Sequence, residues 1–131
     1  MLEGISVDSR EDVVLQMPAH PENVRLARLT VAAVGSRIGF GLELLDDLRM
    51  AIDELCYCLM GGDGASGDIV LTFFPVPNGL GVEGSMTADG NGVPHELPEL
   101  SKRIFDALTT SYDCSLEGKH RWFKLIKRLT P

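Results

Sequence analysis

Residues 46–58 read Asp46-Asp47-Leu48-Arg49-Met50-Ala51-Ile52-Asp53-Glu54-Leu55-Cys56-Tyr57-Cys58. At about 100° per residue, this stretch and its flanks predict an amphipathic helix. Its apolar face contains Leu44, Leu48, Ala51, Ile52, Leu55 and Leu59. Asp47, Glu54 and Cys58 lie along one edge of that face, whereas Arg49 and Asp53 point away from it. The edge position suits side chains at the rim of a pocket, and it equally suits solvated carboxylates.

A family motif overlaps this helix. The segment 48–54, followed by Cys56, resembles the N box of the anti-sigma factor serine kinases, which are small bacterial members of the Bergerat-fold (GHKL) ATPase superfamily. In that family the Glu acts as a base, and an Asn four residues later is a Mg²⁺ ligand. The resemblance therefore implies Glu54 as the catalytic residue and places Cys58 at the metal-ligand position. Because Mg²⁺ prefers oxygen ligands, a neutral thiol at Cys58 predicts no metal site.

A second family landmark, the D-x-G-x-G box that binds adenine, has a counterpart in residues 88–92. These read Ala88-Asp89-Gly90-Asn91-Gly92, so both glycines match and Ala88 replaces the adenine-binding Asp. Ala cannot accept a hydrogen bond, and using Asp89 instead would put the glycines out of register. Residues 93–100 lack the glycine-rich phosphate lid. The resemblance thus implies a degenerate nucleotide pocket formed by Glu54, Cys58, Ala88, Asp89, Gly90 and Gly92. No cofactor is expected, and ATP with Mg²⁺ is required only if kinase activity is retained.

Length and composition indicate one HATPase-like domain over residues 1–131, with residues 1–10 as a flexible end. The N-terminal residues include Glu3, Asp8 and Arg10 and lack the apolar core of a signal peptide. No apolar run is long enough to cross a bilayer. We therefore expect a cytoplasmic protein that makes no contact with a membrane. The family resemblance implies that its source is a bacterium.

The charge balance points to a protein partner. The formal net charge is −7, which argues against direct binding to nucleic acid. Sigma factors carry cationic faces, so an acidic surface fits the partner that the resemblance implies, a sigma factor or its antagonist. The C-terminal hairpin is locally basic through Lys119, Arg121, Lys124, Lys127 and Arg128. This hairpin is interpreted as a solvated strand face, with a docking site for an acidic partner as the alternative.

The three cysteines predict buried, reduced thiols. Cys56 and Cys58 are two residues apart on a predicted helix, so their side chains diverge, and Cys114 leaves an odd count. The chain supplies too few suitably spaced Cys and His residues for a zinc site. Neither a disulfide framework nor a zinc centre is therefore expected.

The apolar pattern predicts the order strand, helix, helix, strand, strand, helix, strand, strand. The predicted elements are a strand at 13–17, a helix from Pro21, a helix over 42–60, strands over 68–76 and 80–86, a helix opened by Pro98, and a hairpin of 112–116 and 121–129. This order predicts an α+β two-layer sandwich, with helices on one face of a mixed, mostly antiparallel sheet, resembling the Bergerat fold. The strand over 68–76 is apolar on both faces, which predicts that it is covered on both sides.

The apolar residues of two predicted helices indicate which faces of those helices are buried. In the first helix, one face contains Val24, Ala27, Val31, Val34 and Ile38, and the opposite face contains Leu26, Leu29 and Ala33. Either the N-terminal segment or a loop covers this second face, or it contacts a second copy or another protein. In the third helix, Leu100, Ile104 and Leu108 are predicted to share a face, with Leu97 and Ser101 beside them.

Three functions follow as hypotheses. The favoured one is an anti-sigma-like regulator that binds a sigma factor or its antagonist without needing ATP. The second is an ATP-dependent serine kinase of the antagonist with Glu54 as its base. The third is a scaffold that sequesters another switch protein, including a related kinase.

Overall fold

The computed structural model describes residues 11–87 and 93–130. In chain order these form β1 (Val13–Pro18), a 3-10 turn (Pro21–Asn23), α1 (Val24–Ile38), α2 (Leu42–Met60), β2 (Asp68–Val76), β3 (Gly79–Thr87), α3 (Glu99–Leu108), β4 (Ser111–Ser115) and β5 (His120–Arg128). The predicted order of elements is confirmed. The end of α1 follows from Gly39, whose φ of 119° is a left-handed conformation that favours glycine.

The five strands form one open sheet in the order β1-β2-β3-β5-β4. All four pairings among the described strands are antiparallel. Register places Phe73 of β2 opposite Val82 of β3, and Gly84 of β3 opposite Phe123 of β5, on the face that packs against the helices. The predicted α+β two-layer sandwich is confirmed.

One expectation about β2 was wrong. Ile69, Leu71 and Phe73 are buried against the helices, as a core strand requires. Val70 and Phe74 lie on the other face and are half-buried, because no helix among the described residues packs on that face. On this second face the ring of Phe74 covers Gly81 on β3.

The core lies between the sheet and α2. The predicted apolar face of α2 is confirmed, since Leu48, Ile52 and Leu55 are fully buried. This helix packs closely on β3 because Gly84 has no side chain. A Cβ at Gly84 would lie 2.8 Å from Leu59 Cδ1 and 2.9 Å from Leu55 Cδ2. The glycine therefore sets how closely α2 approaches the sheet.

The outer helices differ in how well their faces were predicted. On α1, Ala27, Val31 and Val34 are buried, whereas Leu26 and Leu29 keep exposed fractions of 40% and 67%. On α3 the prediction was partly wrong, because Leu100 is 68% exposed while Ser101 and Phe105 are the buried residues. Among the described helices, none is both long enough and apolar enough to cross a membrane.

Candidate functional site

Glu54 is the predicted catalytic residue, and the structure places it at the contact between α2 and α3. Its side chain is half-buried, and its Oε2 atom accepts a hydrogen bond of 2.5 Å from the Ser101 hydroxyl. Ser101 lies in the first turn of α3 and is only 2% exposed. Such a short hydrogen bond to a carboxylate belongs to the stronger, charge-assisted class. The Glu54 carboxylate is therefore already engaged by the chain itself.

Cys58 lies one turn beyond Glu54 on the same side of α2 and is fully buried. Ser101 also hydrogen-bonds this thiol. Burial raises the pKa of Cys58 to about 12; the side-chain hydrogen bond with Ser101 opposes this rise, and the negative charge of Glu54 adds to it. The thiol is therefore neutral at physiological pH. We call Glu54 and Cys58 together the N-box edge.

The donor set of the N-box edge does not fit Mg²⁺. A hard cation needs several oxygen ligands, and Cys58 offers a neutral sulfur. Glu54 contributes a carboxylate, but one of its oxygens is bound by Ser101. Among the described residues, no three His, Cys, Asp or Glu side chains cluster as metal ligands would. Four predicted pocket residues, Ala88, Asp89, Gly90 and Gly92, lie outside the described residues.

The third edge residue, Asp47, is not a freely solvated carboxylate. Its Oδ2 atom lies 3.4 Å from Lys127 Nζ on β5, and the Lys127 side chain is only 12% exposed. On the opposite side of α2, Asp53 forms a 2.7 Å ion pair with Arg28 of α1. These contacts fix α2 to its neighbours on both sides. They leave Asp47 in a structural rather than a ligand-binding position.

Arg121 holds the main chain at the end of α2. The structure shows that its interpretation as part of a solvated strand face was wrong, because the residue is 1% exposed. Its Nη2 donates to the carbonyl of Cys58 at 2.6 Å, its Nε donates to the carbonyl of Leu59 at 3.1 Å, and its Nη1 donates to the carbonyl of Leu116. Burial lowers the pKa of the guanidinium, yet arginine remains protonated. A cation at a helix C-terminus also suits the helix dipole.

Sequence reasoning assigned no role to Ser101 and the wrong one to Arg121, although each residue left a signal. Ser101 lies within the buried stripe of an amphipathic helix, where a hydroxyl needs a partner. Arg121 alternates with the buried Phe123 and Leu125 along β5, which places it on the core face of the strand. Glu54 is 47 residues from Ser101 in sequence, and Leu59 is 62 residues from Arg121.

A groove of about 500 Å³ lies elsewhere, on the open face of the sheet. Its lining includes Gln16, Val70, Ser85 and Trp122. None of the described residues predicted for the nucleotide pocket lines it. The groove is therefore separate from the N-box edge.

The buried thiols give a pH prediction. The pKa of Cys56 is raised from 9.0 to about 12, chiefly by burial and then by Asp53. Between these values the unfolded chain loses a proton that the folded chain keeps, so the stability contributed below pH 9.0 is lost as pH rises toward 12. We expect the unfolding free energy to fall across this window, by up to about 1.4 kcal/mol per pH unit for this thiol. Urea titrations at several alkaline pH values measure the slope.

The control is the Cys56→Ala variant, which has no thiol to titrate at this position. Its unfolding free energy is expected to be lower near neutral pH, and its slope above pH 9.0 is expected to be shallower than that of the wild type. Equal slopes would contradict the assignment. Lysine and tyrosine titration is common to both proteins and cancels in the difference.

Comparison with known proteins finds similar sequences in bacteria. The chain is 31% identical over 112 residues to the serine-protein kinase RsbW of Bacillus thuringiensis, covering 84% of this chain and 64% of that protein. It is 35% identical over 66 residues to the serine-protein kinase RsbW of Bacillus pumilus, covering 47% of this chain and 41% of that protein. A 44-residue stretch is 43% identical to the protein of the same name from Listeria monocytogenes, covering 34% of this chain and 28% of that protein.

The matches cover only part of each relative. The chain spans less than two thirds of the length of each of these relatives. No protein-family model matches the chain.

Proposed function

Because the chain belongs to the RsbW-like family of serine-protein kinases, we propose that it is a regulatory protein of the anti-sigma factor type. In this proposal it controls transcription by binding a sigma factor or its antagonist in the cytoplasm, and binding does not depend on ATP. The observation that carries the ATP-independent part is the state of the N-box edge. There, Ser101 occupies the Glu54 carboxylate, and Cys58 presents a neutral thiol.

The chemistry of this edge supports binding without nucleotide. A nucleotide held through Mg²⁺ would need oxygen ligands, and the described edge offers one engaged carboxylate and one sulfur. Displacing the Ser101 hydroxyl would leave a buried donor without its partner, which costs free energy. Each effect works against tight nucleotide binding.

The outer face of α1 supports a protein partner. Leu26 and Leu29 expose 40% and 67% of their surface, with the small side chain of Ala33 beside them. Exposed apolar side chains on one helix face are typical of interaction sites. The net charge of −7 suits a partner with a cationic face and would speed its association at low salt. The same face would equally serve a homodimer.

The binding proposal predicts that Leu29→Glu weakens the complex. Purified sigma factors and antagonists from the source bacterium, tested one at a time by calorimetry, provide the measurement. Placing a charge in an apolar contact is expected to reduce affinity about tenfold or more. The matched control is Leu100→Glu on α3, because Leu100 is 68% exposed and Leu29 is 67% exposed. Equal losses in both variants would remove α1 from the proposed interface.

Nucleotide dependence is tested with the same proteins. Addition of millimolar MgATP is expected to leave the measured affinity unchanged within about twofold. Calorimetric binding of ATP and Mg²⁺ at micromolar affinity would overturn the ATP-independent part of the proposal. Failure to bind any sigma factor or antagonist would overturn the regulatory part.

The second candidate is an ATP-dependent serine kinase of the antagonist. One observation favours it: the relatives are named as serine-protein kinases, and the chain keeps a Glu at the position that the family's base occupies. Transfer of labelled phosphate from ATP to a serine of the antagonist, lost in Glu54→Gln, would establish it. Intact partner binding without transfer would remove it.

A further inference from the structure

A single hydroxyl joins α3 to both residues of the N-box edge. Ser101 Oγ donates to Glu54 Oε2 at 2.5 Å and is also hydrogen-bonded to the Cys58 thiol. Because Glu54 and Cys58 are four residues apart, they lie one above the other on α2, and one group can contact both. Ser101 and Cys58 are buried, so α3 covers the thiol of this edge from solvent, whereas the Glu54 side chain stays half-buried.

A second contact holds α3 in the same position. Phe105, one turn after Ser101, is fully buried, and its ring centroid lies 4.5 Å from that of Phe123 on β5 and 5.2 Å from that of Tyr112 on β4. The apolar contact anchors the helix to the sheet. The Ser101 contact fixes the end of the helix that lies over Glu54.

We propose that α3 is a self-docked lid over the N-box edge, with Ser101 as its latch. Any ligand or partner group that binds the Glu54 Oε2 atom must first displace the Ser101 hydroxyl. This deepens the proposed function, on which it rests for the meaning of the edge, by naming an internal group that competes for it. The latch acts in the free chain, before any partner binds.

The accessibility of two cysteines can report whether α3 opens. Cys56 and Cys58 are both fully buried on α2, but Cys56 lies on the side of Arg28 and α1, and Cys58 lies on the side of α3. Opening of α3 exposes Cys58 and moves its pKa toward the ordinary value, so both access and thiolate fraction increase. Opening of the whole molecule exposes both thiols equally.

The experiment measures iodoacetamide modification of the free chain under native conditions, with each cysteine quantified by mass spectrometry. Ser101→Ala is expected to increase the modification rate of Cys58 about tenfold or more and to leave the rate of Cys56 within about twofold. The matched control, Lys102→Ala, changes an exposed neighbour on α3 and is expected to leave both rates unchanged. No partner and no nucleotide are present, so the result is independent of whether the proposed function holds.

A second variant changes the acceptor of this hydrogen bond instead of the donor. Glu54→Ala removes the acceptor and is expected to reproduce the selective exposure of Cys58. The proposal is overturned if the two thiols accelerate equally in both variants, because Ser101 then contributes only to global stability. It is equally overturned if neither rate changes.

Discussion

Replacing Arg121 with Met is expected to lower the free energy of unfolding by about 3–5 kcal/mol. Methionine approximates the length of the arginine stem but donates no hydrogen bond. The carbonyls of Cys58, Leu59 and Leu116 would then lose the donor that Arg121 supplies. Unpartnered buried carbonyls are costly, and here three of them depend on one side chain. Urea unfolding followed by circular dichroism measures the change.

Two further variants separate the contribution of the buried hydrogen bonds to stability from the contribution of the positive charge. Lys124→Met removes a cation from the same strand, but Lys124 is exposed and lies over the ring of Phe74, so the expected loss is below about 1 kcal/mol. Arg121→Lys keeps the charge, but a single ammonium cannot reproduce the planar guanidinium donors, so an intermediate loss is expected. If Arg121→Met costs no more than Lys124→Met, the three carbonyl contacts do not contribute to stability.

The helices and strands could be predicted because their signals are local. The bounds of α2 follow from its apolar period and from Gly61, which directly follows the helix. The strand β2 follows from β-branched and aromatic residues that alternate before the Asn78-Gly79 turn. Each of these features is contained within one segment of the chain.

Whether another part of the chain packs on a given face of a strand or helix could not be predicted in the same way. The apolar second face of β2 predicted a covering layer, yet Val70 and Phe74 remain half-buried on an open sheet. Apolar alternation reports how well a side chain suits a strand, and it does not report whether a further layer exists. The same limitation affected α3, where Leu100 matched the helical period but faces solvent.

The candidate site was predictable only in part. The motif identified Glu54 and Cys58, and the structure brings both to one edge of α2. Ser101 and Arg121 meet that edge from α3 and β5, and their contacts depend on tertiary packing that no local pattern encodes. Residue 58 is thereby fixed twice, through its carbonyl by Arg121 and through its thiol by Ser101.

Truncation of Phe105 to Ala is expected to lower the free energy of unfolding by about 3–5 kcal/mol. The ring is fully buried and lies tilted against both Tyr112 and Phe123, at centroid distances of 5.2 and 4.5 Å. Its removal leaves a cavity where α3 meets β4 and β5, and it also removes aromatic pairing. Leu100→Ala on the same helix is the control, since an exposed leucine is expected to change stability by no more than about 0.5 kcal/mol.

The double variant Phe105→Ala with Ser101→Ala tests whether the aromatic contact and the hydrogen bond hold α3 in place as one rigid unit. Both residues lie on α3, four positions apart, and each contacts a different neighbour, β5 for Phe105 and α2 for Ser101. If α3 docks as a unit, loss of the first contact weakens the second, and the two losses differ from additivity by about 0.5 kcal/mol or more. Strictly additive losses would mean that the Ser101 hydrogen bond forms independently of the aromatic cluster, so that α3 does not move as a rigid lid.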